Sequence, residues 1–337
     1  MKSWEIQKAF GLENLVPAER PDPQPGPRQV LVGMRAVSLN FRDLLMVRGQ
    51  YYPKQPLPLI PLSDGVGEVL KVGDGVTRVK AGQRVCPIFC QRWIAGPPTK
   101  AKLLSALGGP LDGTLVERMI LDEEGLVPAP DHLSDEEAAT LTCAAVTAWS
   151  AIVEQGGLRA GDTLAVLGTG GVSVFALQFA QLMGARVIVT SSSDAKLERA
   201  KSLGADELVN YKTTPDWDRK VKDLTGGVGA DHVLEVGGGG TFPRSVRAVR
   251  VGGHISLIGV LSGATTEVNL APILMQNIRV QGVIVGSRET FESMNRAVEQ
   301  HRLRPVLDRI FPFDEARAAF EHMAGQGHLG KIAIRMG

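Results

Sequence analysis

Cysteine is scarce in this sequence: Cys86, Cys90 and Cys143 are the only three in 337 residues. Three thiols make no disulfide framework, and a reducing cytoplasm is the expected location. An excess of one charge is missing as well. With 37 basic and 36 acidic residues the net charge is +1, which gives no electrostatic case for nucleic acid or an anionic membrane as main partner. No apolar run approaches the roughly 20 residues that span a bilayer, and the opening stretch MKSWEIQKAF lacks the apolar core of a signal peptide. No pair of the six histidines has useful ligand spacing, and Cys86 and Cys90 have no second pair behind them, so no metal motif stands out. Heptads, low-complexity tracts and 20–50-residue repeats are also absent. What remains is the composition of a globular protein, 44% hydrophobic and 22% charged, long enough for two domains.

The most informative stretch is residues 163–196. A short apolar run ending at Leu167 suits a strand buried on both faces. Gly168, Thr169, Gly170 and Gly171 follow, and then a helical spacing through Val172, Phe175, Ala176, Phe179, Ala180 and Met183. A second strand-like run covers Val187, Ile188 and Val189. Strand, glycine turn, helix and strand form the opening βαβ unit of a dinucleotide-binding fold, in which small turn residues let the backbone approach a pyrophosphate held at the helix N-terminus. The G-x-G-x-x-G spacing is met at Gly168 and Gly170, with Ser173 at the third position.

Taken in order, residues 1–125 are β-rich, with Asn40 to Arg48 at helical spacing and an irregular loop between Cys90 and Gly113. Ser134-Asp135-Glu136-Glu137 is a capping box that opens a helix running to about Gln155. Strand-like runs recur at Leu208-Val209, His232 to Val236, His254 to Ile258 and residues 279–285. With the first two they make the six strands of a complete doubly wound sheet. Three segments follow: residues 1–125 as a β-rich domain, 126–285 as a Rossmann domain, and 286–337 returning to complete the first.

This order is similar to that of the medium-chain dehydrogenase/reductase superfamily. The matching segments are Asp64-Gly-Val-Gly-Glu-Val, Ala81-Gly-Gln-Arg-Val, Glu137-Ala-Ala-Thr-Leu, Thr147-Ala-Trp-Ser-Ala, the glycine turn, Ala195-Lys-Leu-Glu-Arg-Ala and Gly330-Lys-Ile. The resemblance implies an α/β architecture, a GroES-like catalytic domain plus a Rossmann domain, and a nicotinamide cofactor bound in the cleft between them. Zinc alcohol dehydrogenases of the superfamily carry a cysteine where Asn40 stands and Gly-His-Glu where Ser63-Asp64-Gly65 stands; Cys143 alone keeps a ligand-like position. The expectation is a site with no metal ligands. Asn40-Phe41-Arg42-Asp43 followed by Gly49-Gln50-Tyr51 instead resembles the zinc-independent quinone oxidoreductase branch. On that resemblance Asn40 and Tyr51 line the nicotinamide pocket, with Asp43 as a weaker catalytic candidate that serves equally as a helix ion-pair partner. Tyr52 is an alternative to Tyr51. The pocket walls are expected from Tyr51, Tyr52, Phe89, Trp93 and the 90–113 loop.

Without zinc the acceptor matters. Hydride addition to a simple ketone leaves an alkoxide about as basic as hydroxide, near pKa 15.7. A quinone or enone leaves a phenolate- or enolate-like anion, and a phenol titrates near 10, a difference on the order of 8 kcal/mol in proton affinity. The expected reaction is therefore hydride transfer between NADP(H) and a small carbonyl, enone or quinone. The alternatives are an alcohol dehydrogenase of ordinary alcohols, with a tyrosine as general acid, and a non-catalytic NADPH-binding protein of crystallin-like or sensing role.

The second strand ends in Thr190-Ser191-Ser192-Ser193, without the acidic residue that holds the ribose hydroxyls of NAD. Asp194 is expected to cap the next helix. Ser191, Ser192 and Lys196 suit a 2′-phosphate, so NADP(H) is preferred with NAD(H) possible, and Tyr211 lies where relatives place a residue near that phosphate. The resemblance adds Thr147, Gly237, Gly259 and Val260 to the cofactor set and gives Lys331 a reach to the pyrophosphate. It also implies a homodimer through the strand at residues 279–285.

Overall fold

The computed structural model describes residues 1–337 as two compact units, Met1–Val146 with Gly286–Gly337, and Thr147–Val285. In the first unit β1 (Lys2–Ile6) pairs antiparallel with β2 (Leu15–Glu19). β3 (Gln29–Ser38), helix α1 (Phe41–Val47), β4 (Asp64–Val72) and β5 (Arg84–Pro87) follow. The loop expected to be irregular after Cys90 contains a short helix, α2 (Lys100–Leu103), started by Thr99 Oγ1 accepting from Lys102 N. β6 (Arg118–Asp122) and β7 (Leu126–Pro128) come next.

The segment 126–146, expected to open the second domain, packs with the first. β7 pairs antiparallel with β5, and Arg84 reaches Asp135 at 2.8 Å and Leu133 O at 3.0 Å. The helix expected over residues 134–155 starts as foreseen, with Ser134 and Glu137 capping each other. It is not regular, however. After α3 (Asp135–Ala138) the backbone widens into π-type turns at Leu141–Ala145 and Ser150–Gln155, on either side of α4 (Val146–Trp149).

The second unit has six parallel strands, β8 (Thr163–Leu167), β9 (Arg186–Ser191), β10 (Glu207–Asn210), β11 (Ala230–Glu235), β12 (Val249–Leu257) and β13 (Arg279–Gly282). Their spatial order is β10-β9-β8-β11-β12-β13, the 3-2-1-4-5-6 order of the dinucleotide fold. The linking helices are α5 (Gly171–Leu182), α6 (Asp194–Ser202), α7 (Trp217–Leu224), α8 (Phe242–Ala248) and α9 (Ala271–Met275). Branched residues bury the central strands on both faces, as a parallel sheet requires: Leu164, Val166, Val187, Ile188 and Val233 are all essentially inaccessible.

The chain then re-enters the first unit as α10 (Arg288–Gln300), β14 (Leu307–Pro312), α11 (Ala316–Ala324) and β15 (Lys331–Arg335). β15 inserts beside β3, Ala333 opposite Ser38, while β3 pairs on its other side with β4, Ser38 opposite Asp64. Ile332 and Ile334 join Val37, Leu44 and Phe320 in one hydrophobic core. No helix is long and apolar enough to cross a membrane.

Candidate active site

The first unit gathers a buried polar cluster where β3, β4 and β15 end together. Lys331 is 3% exposed, and its ammonium donates to Leu39 O at 2.7 Å, Asn40 Oδ1 at 2.7 Å and Asp64 Oδ2 at 3.1 Å. Three N–H bonds meet three acceptors. Asp64 is fully buried and also accepts from the hydroxyls of Ser38 at 3.0 Å and Ser63 at 3.2 Å. Strand register explains the meeting, because Ser38 faces Asp64 across β3–β4 and Leu39 N bonds Ile332 O at 3.0 Å.

Asn40 is the residue preceding α1. Its backbone N–H donates to Asp43 Oδ2 at 2.7 Å, so Asp43 closes the helix start in the manner of a capping box. Asp43, the weaker catalytic candidate, is fully buried. Burial pushes its carboxyl up to about 6, against the opposing pull of the Arg42 guanidinium. One of its oxygens is spent on the Asn40 N–H, and the other lies 3.8 Å from the Arg42 guanidinium. Arg42 lies over two rings, 5.2 Å from the Tyr51 centroid and 4.8 Å from that of Phe89, and donates to Leu107 O and Gly109 O of the long loop. Tyr51 is 50% and Tyr52 41% exposed; the cation over its face ties Tyr51 to α1. Phe89 and Trp93 are buried, and Trp93 spends its indole N–H on Gly96 O at 2.7 Å.

In the second unit Gly168 takes φ +74 at the end of β8, a left-handed turn that favours glycine. Gly170 precedes α5, and a Cβ at Gly168 or Gly170 would meet nothing within 4 Å. This open cradle before a twelve-residue helix, with the first-turn amides lacking helical acceptors, fits a pyrophosphate. Thr169 and Ser191 are buried beside the turn and at the end of β9. Ser192 and Lys196 are partly exposed at the start of α6 and Tyr211 is exposed after β10, its N–H bonding Ser191 O at 3.0 Å. The cap of α6 is Ser193, whose Oγ accepts from Lys196 N at 3.4 Å. Asp194, expected in that role, sits one residue inside the helix and accepts from Asn210 at 2.6 Å.

After β11 the four glycines Gly237–Gly240 are organised by Glu235, which sequence reasoning passed over. Its buried carboxylate accepts from the N–H groups of Gly237 at 2.7 Å and Gly238 at 2.9 Å, from Thr241 Oγ1 at 2.6 Å, and from Ser245 Oγ. Gly259 and Val260 lie on the loop after β12, with Gly259 N reaching back to Glu235 O at 3.3 Å. Thr147, buried, faces Ile284 O at 3.5 Å.

Residues 26–131 match the family model for the alcohol dehydrogenase GroES-like domain, and residues 171–300 that for zinc-binding dehydrogenase. A zinc-type alcohol dehydrogenase-like protein of Schizosaccharomyces pombe is 43% identical, over 97% of this chain and 96% of its own. The chain belongs to the medium-chain dehydrogenase/reductase superfamily. Within it, a crystal structure of an NAD-dependent alcohol dehydrogenase superposes with TM-score 0.91 at 35% identity, over the full length of both chains. An acryloyl-coenzyme A reductase of Metallosphaera sedula is 27% identical over 93% of this chain and 94% of its own. The chain is an NAD(P)-dependent oxidoreductase built from a GroES-like and a Rossmann domain.

Superfamily members that use catalytic zinc hold it with thiolate and imidazole, and the residues present here do not fit that ion. Catalytic zinc needs three protein ligands. No group of three His, Cys, Asp or Glu residues is arranged to hold a metal, and Asp64 already faces a cation, Lys331. Burial pushes the Cys143 thiol far up, with the Asp64 carboxylate adding to the effect and Lys331 opposing it. The same geometry corrects the role expected of Lys331. Its ammonium is buried and fully paired inside the first unit, so it is not the residue that reaches a pyrophosphate.

Proposed function

We propose that the chain reduces activated carbonyl compounds, quinones, enones or enals, by hydride transfer from NADPH without zinc. The observation that carries this reading is the Lys331–Asn40–Asp64 cluster in the place of a metal ligand set. The acceptor oxygen then receives charge beside an amide and a tyrosine hydroxyl, weaker stabilisers than a divalent metal. An enolate- or phenolate-like product, on the order of 8 kcal/mol less demanding than an alkoxide, suits such donors. The resemblance to an acryloyl-coenzyme A reductase supports a conjugated acceptor. Asn40 and Tyr51 are the groups proposed to face the acceptor, Tyr51 rather than Tyr52 because Arg42 ties it to α1.

Gly168, Thr169, Gly170, Gly171 and Val172 are proposed to cradle the pyrophosphate, with Gly237, Gly259, Val260 and Thr147 nearer the nicotinamide. Ser191, Ser192, Lys196 and Tyr211 are proposed to hold the 2′-phosphate of NADP, there being no acidic residue at the end of β9. The three free thiols fit a reducing cytoplasm. Steady-state kinetics over quinones, enones, aldehydes and alcohols with both cofactors test the reading. The expected result is the highest kcat/KM with NADPH and a conjugated acceptor, with Lys196→Ala costing about tenfold or more in NADPH use, a loss of about 1.4 kcal/mol. Turnover confined to saturated alcohols and aldehydes, or one tightly bound zinc per chain by elemental analysis, would favour the second reading, an ordinary alcohol dehydrogenase. Its support is the name shared by close relatives.

A further inference from the structure

We infer that Lys331 is a positioning residue for the reduction: its ammonium fixes the Asn40 amide so that Nδ2, and not Oδ1, is offered to the acceptor oxygen. The inference deepens the function proposed above and rests on it. An ammonium has donors only. The atom of Asn40 that lies 2.7 Å from Lys331 Nζ must therefore be the carbonyl oxygen, since a flipped amide would set NH2 against NH3+. That leaves Asn40 Nδ2, which is buried and has no hydrogen-bond partner. A buried donor without a partner is unfavourable and uncommon in native proteins, and such a group invites a functional account.

Asn40 is held from three sides. Asp43 accepts its backbone N–H, Lys331 binds its side-chain oxygen, and Lys331 also binds the carbonyl of the preceding residue, Leu39. Lys331 itself is balanced by Asp64, which Ser38 and Ser63 hold in turn. A donor fixed by packing and a supporting hydrogen-bond shell costs no reorganisation when charge develops in front of it. The cation behind Oδ1 also polarises the amide, making its N–H groups stronger donors. Bound NADPH would supply the hydride that forms the new C–H bond at the acceptor carbon, and the electron pair displaced from the acceptor's π bond would settle on its oxygen. Asn40 Nδ2–H stabilises that charge, and solvent or Tyr51 supplies the proton. Lys331 keeps its proton throughout.

The test uses the full chain with Lys331→Met, assayed with NADPH against a quinone and a saturated aldehyde. The double variant Lys331→Met/Asp64→Asn runs in parallel, because it leaves no unpaired buried carboxylate and keeps the test readable should the single variant fail to fold. The expected result is NADPH affinity by fluorescence titration within about threefold of wild type, and kcat for the quinone down by about 30-fold or more, short of the 10²–10³-fold for deleting a donor outright. The aldehyde loss should be larger still, because its product oxygen is more basic. Asn40→Asp, which keeps an acceptor for Lys331 but offers no donor, should reproduce the same ordering of losses. Equal losses on both acceptors would assign Lys331 a structural role, and weakened NADPH binding with unchanged kcat would assign it to the cofactor; either overturns the inference. Wild type inactive on every quinone and enone would instead overturn the function on which it rests.

Discussion

The glycine cradle supports a prediction in which stability and affinity separate. Gly170 has φ −75 and ψ −178, a conformation open to any L-residue, and its absent Cβ would touch nothing within 4 Å. Gly170→Ala gains about 0.4–1 kcal/mol through the less free unfolded chain. It loses about 0.5–1 kcal/mol because alanine precedes a helix less well than glycine. The net change in stability is therefore within about 0.5 kcal/mol of zero. The methyl nevertheless occupies the space through which a pyrophosphate approaches the first amides of α5, so NADPH affinity should fall about 10–100-fold, or about 1.4–2.8 kcal/mol. Gly238→Ala is the opposite case. Its φ is +78, and a Cβ would lie 2.7 Å from both Gly263 O and Val260 Cα, backbone atoms that cannot swing aside. A backbone penalty of about 1–2 kcal/mol plus overpacking of about 1–3 kcal/mol makes about 3 kcal/mol a fair expectation. Urea unfolding at unchanged m-value reads the stability, and NADPH fluorescence reads the affinity. Twofold-or-less weakening by Gly170→Ala, or a loss of stability above about 2 kcal/mol there, would refute the cradle; Gly238→Ala as stable as wild type would refute the packing.

Two further expectations concern pH and assembly. The Asp43 carboxyl is pushed up from 3.8 to about 6, so the folded protein holds a proton that the unfolded chain has released. That contribution is fully present below pH 3.8 and is lost as pH rises through 6. Asp43→Asn keeps an acceptor for the Asn40 N–H and removes the titration. Relative to wild type it should gain stability between about pH 4 and 7, by on the order of 3 kcal/mol, measured by urea unfolding at both ends; identical pH dependence of the two proteins would count against it. β13 lies at the sheet edge with Val280 exposed, and Leu274 and Met275 on neighbouring α9 are each 79% exposed. An unpaired edge beside apolar side chains suits pairing with a second copy. Light scattering should give a dimer that Leu274→Glu converts to monomer, and a monomeric wild type would remove the proposal.

Local spacing made the second unit legible. The glycine turn, the change from strand to helix period, and the apolar runs are all properties of short segments, and the central strands of the parallel sheet are buried so completely that little else fits their pattern. The span of α1 was legible for the same reason, from the helical spacing over Asn40 to Arg48, whereas the capping of its start by Asp43 was not. Less local features were misread. The segment 126–146 carries helix signals that say nothing of which unit it joins; that was decided by β7 pairing with β5 and Arg84 meeting Asp135. The choice of Ser193 over Asp194 as cap turned on a single residue of backbone register.

By itself the sequence determined the superfamily pattern, the dinucleotide turn, and the replacement of the first cysteine and the histidine of the zinc ligand set by Asn40 and Asp64, with Cys143 alone kept. It could not determine what holds them together. Lys331 and Asn40 are 291 positions apart, and only the insertion of β15 beside β3 brings them within hydrogen-bonding distance. An ammonium surrounded by three acceptors is a property of strand pairing and burial, so a residue that reads along the chain as a cofactor contact becomes, in the folded protein, the support of an amide.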